Sequence, residues 1–199
     1  KTCLIHAGKA NLFESLKGLV VDCLAGRALD YVVFSYVESD EAGAANDWLS
    51  LYSEAEVVCN KVANINLEDY LVRPARVIKD GDCLDLGEHR LRLIETPHFP
   101  HNWDAHLWYE EKKQILFSSD FCCQGGVSDA VVDTDISAKV IEFYERGNFI
   151  PYGLTTKQNL EKLSQLSLQM IAPMHGSTII GEGAVTVFNK VKLALDSKA

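Results

Sequence analysis

The sequence predicts a layered α+β fold in which helices pack on sheets, and three observations favour it. Short apolar runs alternate with helical patterns near the N-terminus, the middle alternates polar and apolar residues with a period of two, and helical patterns dominate the C-terminal third. The chain has 199 residues, of which 47% are hydrophobic. That length suffices for one full core, so we expect a single domain over residues 1–199.

The N-terminal elements follow from the spacing of apolar residues. Residues 3–5 are typical of a strand, and Asn11 is placed to cap a helix over residues 11–24. The run YVVFSYV at 31–37 is rich in β-branched and aromatic residues, which predicts a buried strand. Further predicted elements are a helix over 42–52, a strand over 56–59 and a short helix over 66–72 that ends near Pro74.

From Ala75 onward the pattern predicts antiparallel hairpins. The stretch ARVIKDGDCLDLGEHRLRLIETP alternates polar and apolar residues, with turn signals at 80–82 and at Gly87. The runs AHLWY and QILFSSD, joined by EEKK, predict a second hairpin. Helices are predicted at about 136–147, 156–167 and 184–196, and QMIAPMHG predicts a strand that runs into a loop.

Composition excludes several classes of partner. The chain has 19 basic and 28 acidic residues and a formal net charge of −9, which disfavours nucleic acid and anionic membrane surfaces. No apolar stretch is long enough for a membrane span, and the first residues do not resemble a signal peptide. The six cysteines form no C-x-x-C pair, so we expect small buried side chains in a reducing cytoplasm, with adjacent Cys122 and Cys123 as a less favoured redox pair.

Residues that bind metals well follow four of the apolar runs. They are Glu38 and Asp40 in FSYVESD, His98, His101 and His106 in ETPHFPHNWDAH, Asp120 in ILFSSD, and His175 in MIAPMHG. The ends of neighbouring strands converge on one rim in sheet-and-helix folds, so these side chains are candidates for one pocket. Mixed carboxylate and imidazole ligation suits iron, manganese or zinc.

Each of these residues also has a purely structural explanation. Asp120 is suited to cap a turn, and Asp40 and Glu41 are suited to the first turn of the following helix, where negative charge is favourable. The three histidines in the middle of the chain fit ordinary surface or half-buried positions. His175 is the hardest to explain structurally, because it lies between an apolar strand and a glycine.

The order of these motifs resembles the metallo-β-lactamase superfamily, specifically its flavodiiron branch and the stand-alone oxygen-binding diiron proteins. The resemblance rests on the acidic cluster after YVVFSYVESDEAG, then ETPHFPHNWDAHLWY, LFSSDF and MIAPMHGS, and it covers essentially the whole chain. It implies a layered αββα fold. Members of this family usually have two or three further strands before the segment that matches KTCLIHAG, so we expect a fold that lacks its first strands.

The resemblance also implies a set of metal ligands. The branch carries H-x-E-x-D-H in its first motif, and here Glu38 and Asp40 match the acidic members, while Tyr36 and Glu41 replace the two histidines. The next histidine matches His101, with His98 as a competitor; the bridging aspartate matches Asp120 and the last histidine matches His175. One iron would then be held by Glu38, His101 and Asp120, and the other by Asp40, Asp120 and His175.

Tyr36 leaves three alternatives open. It ligates and favours ferric iron, it points away and leaves its position to water or to His98, or the site has lost affinity and the protein is a metal-poor relative. Glu41 matters less, because the family's residue at that position often lies beside the metals without ligating them.

The resemblance implies a non-haem diiron protein that binds or reduces O2 or NO, with two irons per chain and no catalytic residues beyond the metal ligands. No phosphate-binding loop for FMN is visible, so we expect the chain to lack its own FMN domain and to use a separate electron donor or act as a sensor. We also expect a homodimer. The alternatives are a dinuclear zinc or manganese hydrolase, which Glu38 disfavours, and a non-enzymatic relative with a binding role.

Overall fold

The computed structural model describes residues 1–126 and 129–198. The chain divides into two compact units, Lys1–Glu95 and Thr96–Ala199. The single domain expected over residues 1–199 therefore stays a prediction. Within the described residues, no helix is both long enough and apolar enough to cross a membrane.

The first unit contains a parallel sheet of four strands in the order β1-β2-β3-β4. Its strands are β1 (Cys3–Ile5), β2 (Tyr31–Val33), β3 (Glu56–Cys59) and β4 (Arg76–Val77). Central strands of a parallel sheet are apolar along their whole length because both faces are covered, and Val32, Val33, Val57 and Val58 are buried accordingly. The predicted strand over 31–37 is too long, since β2 ends at Val33.

Three helices accompany this sheet: α1 (Phe13–Leu24), α2 (Ala45–Leu51) and α3 (Lys61–Leu67). The predicted cap at Asn11 is wrong, because residues Ala10–Leu12 form a 3-10 turn and Leu12 takes the cap position. The third helix begins earlier than the predicted 66–72, since the Asn60 side chain accepts a hydrogen bond from the Ala63 N–H at 2.8 Å and caps it. Buried Trp48 packs edge-on against Phe13 at 4.8 Å between ring centroids and anchors the core of this unit.

The first unit also contains a hairpin of β5 (Cys83–Asp85) and β6 (Arg90–Glu95), which confirms the predicted antiparallel pattern around Gly87. Gly87 has a φ of +93°, as this turn requires. The hairpin pattern does not extend back to Ala75, because β4 pairs with β3 in parallel.

In its described residues, the second unit contains five strands in the order β7-β8-β10-β11-β9 and three helices. They are β7 (His106–Glu110), β8 (Ile115–Ser119), β9 (Val131–Val132), α4 (Ser137–Gly147), α5 (Leu154–Ser164), β10 (Met170–Pro173), β11 (Thr178–Ile180) and α6 (Gly181–Asp196). The hairpin of β7 and β8 is confirmed, as is the strand that runs into the loop after MIAP. The three C-terminal helices are confirmed, although α5 and α6 begin two or three residues earlier than predicted.

The pairing of β8 with β10 determines where the functional residues lie. These two strands are parallel, with Met170 opposite Ile115 and Pro173 opposite Ser119. The carboxyl ends of both strands therefore meet at the same edge of the sheet.

The capping role of Asn60 gives a stability prediction. Replacing Asn60 with alanine removes the acceptor for the Ala63 N–H and is expected to lower the free energy of unfolding by about 1 kcal/mol, measured by urea denaturation. Asn66→Ala, at an exposed position inside the same helix, is the matched control and should leave stability unchanged or slightly raised, because alanine is the better helix former. Equal effects of the two substitutions would show that Asn60 does not act as a cap.

Candidate metal site

The second unit brings His101, Asp120 and His175 together. Asp120 directly follows β8 and His175 follows β10 by two residues, so the parallel pairing of these strands places both at one edge. His101 belongs to the turn between residues 96 and 105, which closes through a hydrogen bond from the Thr96 N–H to the Ala105 carbonyl at 3.0 Å. Three residues from separate parts of the sequence thus form one cluster.

The two carboxylate oxygens of Asp120 face different histidines. Oδ2 lies 2.9 Å from Nε2 of His101, and Oδ1 lies 3.7 Å from Nε2 of His175. The Asp120 and His101 side chains are 16% and 18% exposed, whereas His175 is 47% exposed. The carboxylate therefore stands between two imidazoles, one shielded and one open to solvent.

The His101 ring is oriented by its neighbours. Nδ1 lies 3.3 Å from Oδ1 of Asn102, and the ring packs edge-on against Phe149 at 5.5 Å between centroids. Contacts on the far nitrogen of an imidazole fix its tautomer and leave the near nitrogen available to a ligand or metal.

His98, the alternative to His101 as a metal ligand, does not face Asp120 as His101 does. Its side chain is exposed and its backbone has a φ of +64°, whereas the ring of His101 faces Asp120. His98 and His101 both line a cavity of about 480 Å³, together with Asn102, Phe149 and residues 151–156. The cavity gives a small molecule room to approach the His101 side of the cluster.

His106 does not join this cluster, contrary to its grouping with the other candidates. It is the first residue of β7, is fully buried, and its Nδ1 donates to the Asp104 carbonyl at 3.0 Å. Its ring packs edge-on against Trp108 at 5.7 Å between centroids. His106 is therefore a buried core histidine, and the surface or half-buried position expected for it is also wrong.

The acidic motif in the first unit lies on a turn and not on a strand. Residues 34–44, after the end of β2, contain no further strand, and the Glu38 carbonyl accepts hydrogen bonds from the Glu41 and Ala42 N–H groups at 3.2 and 2.8 Å. Glu38 and Asp40 therefore do not lie on extended backbone. The alternative that this segment begins a helical turn is closer to the structure.

Glu41 anchors this turn from inside. It is 1% exposed, and its Oε2 accepts hydrogen bonds from the backbone N–H groups of Ser35 and Tyr36 at 2.7 and 3.1 Å. The same oxygen lies 3.5 Å from Nε2 of His6, which lies 3.3 Å from the Ser35 hydroxyl. Oε2 of Glu41 is therefore already engaged by two backbone N–H groups.

Tyr36, which stands where the resembled family has a histidine, is fully buried in the first unit. Its backbone N–H is one of the two groups that Glu41 holds. Tyr36 therefore belongs to the buried core, and metal ligation by Tyr36 stays a prediction.

The cysteines follow the prediction in part. Cys59, Cys122 and Cys123 are buried, whereas Cys23 is exposed. Burial raises the pKa of the Cys122 and Cys123 thiols well above the usual range, so both are protonated at neutral pH. Protonated thiols are poor nucleophiles, which disfavours the redox pair.

Two features of the site had no clear signal in the sequence. One is the role of Glu41 as a buried anchor, which only its position before a run of small residues, AGAA, could have indicated. The other is the set of contacts that Cys123 and Gln124 make with the loop of His175. Such contacts join segments about 50 residues apart, and no local pattern predicts them.

The chain is similar to a family of beta-lactamase-like proteins. A model of the family described as ODP family beta lactamase matches residues 1–176. The chain is 32% identical over 189 residues to diflavin flavoprotein A 1 of Synechocystis sp., covering 87% of this chain and 32% of that protein. It is 29% identical over 162 residues to the anaerobic nitric oxide reductase flavorubredoxin of Salmonella arizonae, covering 74% of this chain and 33% of that protein. The chain thus spans about a third of the length of these two relatives.

Solved structures show the same fold. The flavodiiron protein of Giardia intestinalis superposes with a TM-score of 0.82 at 22% identity, covering 95% of this chain and 48% of that chain. A structure described as a peroxy diiron species of the chemotaxis sensor ODP superposes with a TM-score of 0.77 at 20% identity, covering 96% of this chain and 81% of that chain. The predicted α+β fold of the metallo-β-lactamase type is therefore confirmed.

The anchoring role of Glu41 is testable through stability. Glu41→Ala leaves the buried N–H groups of Ser35 and Tyr36 without this acceptor, which is expected to lower the free energy of unfolding by about 2 to 5 kcal/mol in chemical denaturation. Glu68→Ala, at an exposed glutamate of the same unit, should change it by less than about 0.5 kcal/mol. A Glu41→Ala variant as stable as the control would contradict the anchoring role.

Proposed function

Because the chain belongs to the ODP family of beta-lactamase-like proteins, we propose that it is a non-haem diiron protein that binds or reduces O2 or NO. Its relatives include flavodiiron proteins, a nitric oxide reductase flavorubredoxin and a diiron chemotaxis sensor. The chain matches about a third of the length of the first two relatives above, and we assign their diiron chemistry to this matching part.

The orientation of Asp120 is the observation that carries the proposal. Two ligand atoms that each lie about 2.1 Å from one metal are roughly 3.0 to 3.6 Å apart when they subtend angles of about 90° to 120°. The separations from Asp120 to His101 and to His175, 2.9 and 3.7 Å, are close to this range. In this proposal each oxygen of the carboxylate would share a metal with a different histidine, which is the role of a bridging ligand.

We propose that two carboxylates of the acidic motif are the remaining metal ligands. Glu38 and Asp40 would complete the set, with Glu38 joining the iron of His101 and Asp40 joining the iron of His175. Carboxylates and imidazoles together suit iron, whereas zinc and manganese remain the alternatives to be excluded by analysis. A bound ferrous pair would supply two electrons and open coordination positions, and any further electrons that reduction of O2 or NO requires would come from a separate donor.

The chain's own residues support this chemistry around His101. Asn102 and Phe149 hold the ring so that Nε2 faces Asp120. The cavity of about 480 Å³ beside it is far larger than a diatomic gas needs and gives access to this side of the cluster. Electron delivery by a separate donor and assembly as a homodimer stay predictions.

The bridging role of Asp120 predicts a specific loss of metal. Protein produced with iron and kept anaerobic should contain about two irons per chain by elemental analysis, and Asp120→Ala should abolish binding of both. Asp133→Ala, at an exposed aspartate of the same unit, should retain both. Loss of a single iron in Asp120→Ala would show that Asp120 does not bridge, and wild-type protein with zinc or manganese in place of iron would favour a hydrolase.

Reaction with gas distinguishes the proposed chemistry from a structural metal site. Mixing reduced, iron-loaded protein with O2 or with NO in a stopped-flow spectrometer should change the visible absorption spectrum, because oxidation of the iron or binding of NO to it changes its charge-transfer bands. The iron-free protein is the control and should show no change. A silent spectrum with iron present would contradict the reaction with these gases.

A further inference from the structure

The loop that follows Asp120 is bonded to the loop that carries His175. Oε1 of Gln124 accepts a hydrogen bond from the Ser177 N–H at 2.7 Å, and Nε2 of Gln124 donates to the Ser177 carbonyl at 3.4 Å. The Gln124 N–H donates to the His175 carbonyl at 3.3 Å. One glutamine thus satisfies backbone groups at two positions of the His175 loop, which comprises residues 174–177.

Cys123 makes a second connection, which reaches both candidate ligands. Its Sγ accepts a hydrogen bond from the His175 N–H at 3.3 Å and lies 3.4 Å from Oδ1 of Asp120. It also lies 3.2 Å from the Ser119 carbonyl, which is the other acceptor within reach of the thiol proton. Oδ1 is the carboxylate oxygen that faces His175, so the thiol lies against both partners of that contact.

The loop after Asp120 and the loop of His175 approach so closely that position 176 has no room for a side chain. Gly176 has a φ of +89°, and a Cβ at this position would lie 2.3 Å from Oε1 of Gln124. Cys123, Gln124 and Ser177 are all buried, so water cannot readily replace the hydrogen bonds among them. The contact is therefore built into the fold and is not a chance approach of mobile side chains.

The His175 side chain is less constrained by its own neighbours than the His101 side chain, so its orientation depends more on how its loop is held. His175 lies on a loop with a side chain that is 47% exposed, whereas His101 is held by Asn102 and Phe149. We infer that Cys123 and Gln124 are positioning residues that fix His175 relative to Asp120 and so set the metal affinity of the His175 half of the site. The part of this half that the inference concerns is His175 and Oδ1 of Asp120; the inference rests on the proposed function.

Metal titration separates the two halves. In anaerobic Fe(II) titrations against a competing chelator, Gln124→Met and Cys123→Ala should weaken one of the two bound irons by about 10- to 100-fold and leave the other unchanged. Gln158→Met, at an exposed glutamine, and Cys122→Ala, which removes the adjacent buried thiol, are the matched controls and should retain both affinities. Cys123→Ser keeps a donor and acceptor at the position and should recover part of the loss, which a volume effect alone would not give.

Hydrogen exchange tests the same inference without metal. In metal-free protein, Gln124→Met should speed amide exchange at Ser177, and Cys123→Ala should speed it at His175, while both controls exchange like wild type. Unchanged exchange and unchanged Fe(II) affinities in both variants would overturn the positioning role. Wild-type protein that binds no iron would instead overturn the proposed function, and the exchange rates would still decide whether the two residues hold the His175 loop.

Discussion

The parallel pairing of β8 with β10 is the constraint on which the site in the second unit depends. It brings the carboxyl ends of two strands about 50 residues apart in the sequence to one sheet edge, with Pro173 opposite Ser119. The register shifts by one residue between Ala172, which lies opposite Phe117, and Pro173, so this irregularity and the pairing together set the positions of the residues that follow. The loops beyond these strands then need only short-range contacts to place Asp120 beside His175.

The sequence predicts the strands of the fold better than its loops, and the reason is physical. Runs of apolar residues predict buried strands such as β3 and β8, because the side chains of a buried strand are covered by the rest of the fold. The order of metal-binding residues after those runs was enough to suggest a common pocket. The conformation of residues 34–44 was not predictable in this way, since a buried carboxylate at Glu41 holds it through backbone N–H groups.

The environments of individual histidines were also not predictable from the sequence. His98, His101 and His106 lie within nine residues, and composition alone does not separate them. The structure gives them three different environments: an exposed position beside a cavity, a position facing Asp120, and the core. What distinguishes them is the turn over residues 96–105, which closes from Thr96 to Ala105, and the start of β7, which pairs with β8.

The unequal exposure of the two histidines that face Asp120 has a kinetic consequence. An ion held by His101 would be the better shielded of the two, because the His101 side chain is less exposed than that of His175. A bridged pair built on such a cluster would therefore lose its ions in sequence, the outer one first. Partial loading would then be an asymmetric, single-ion state and not an even mixture of empty and full molecules.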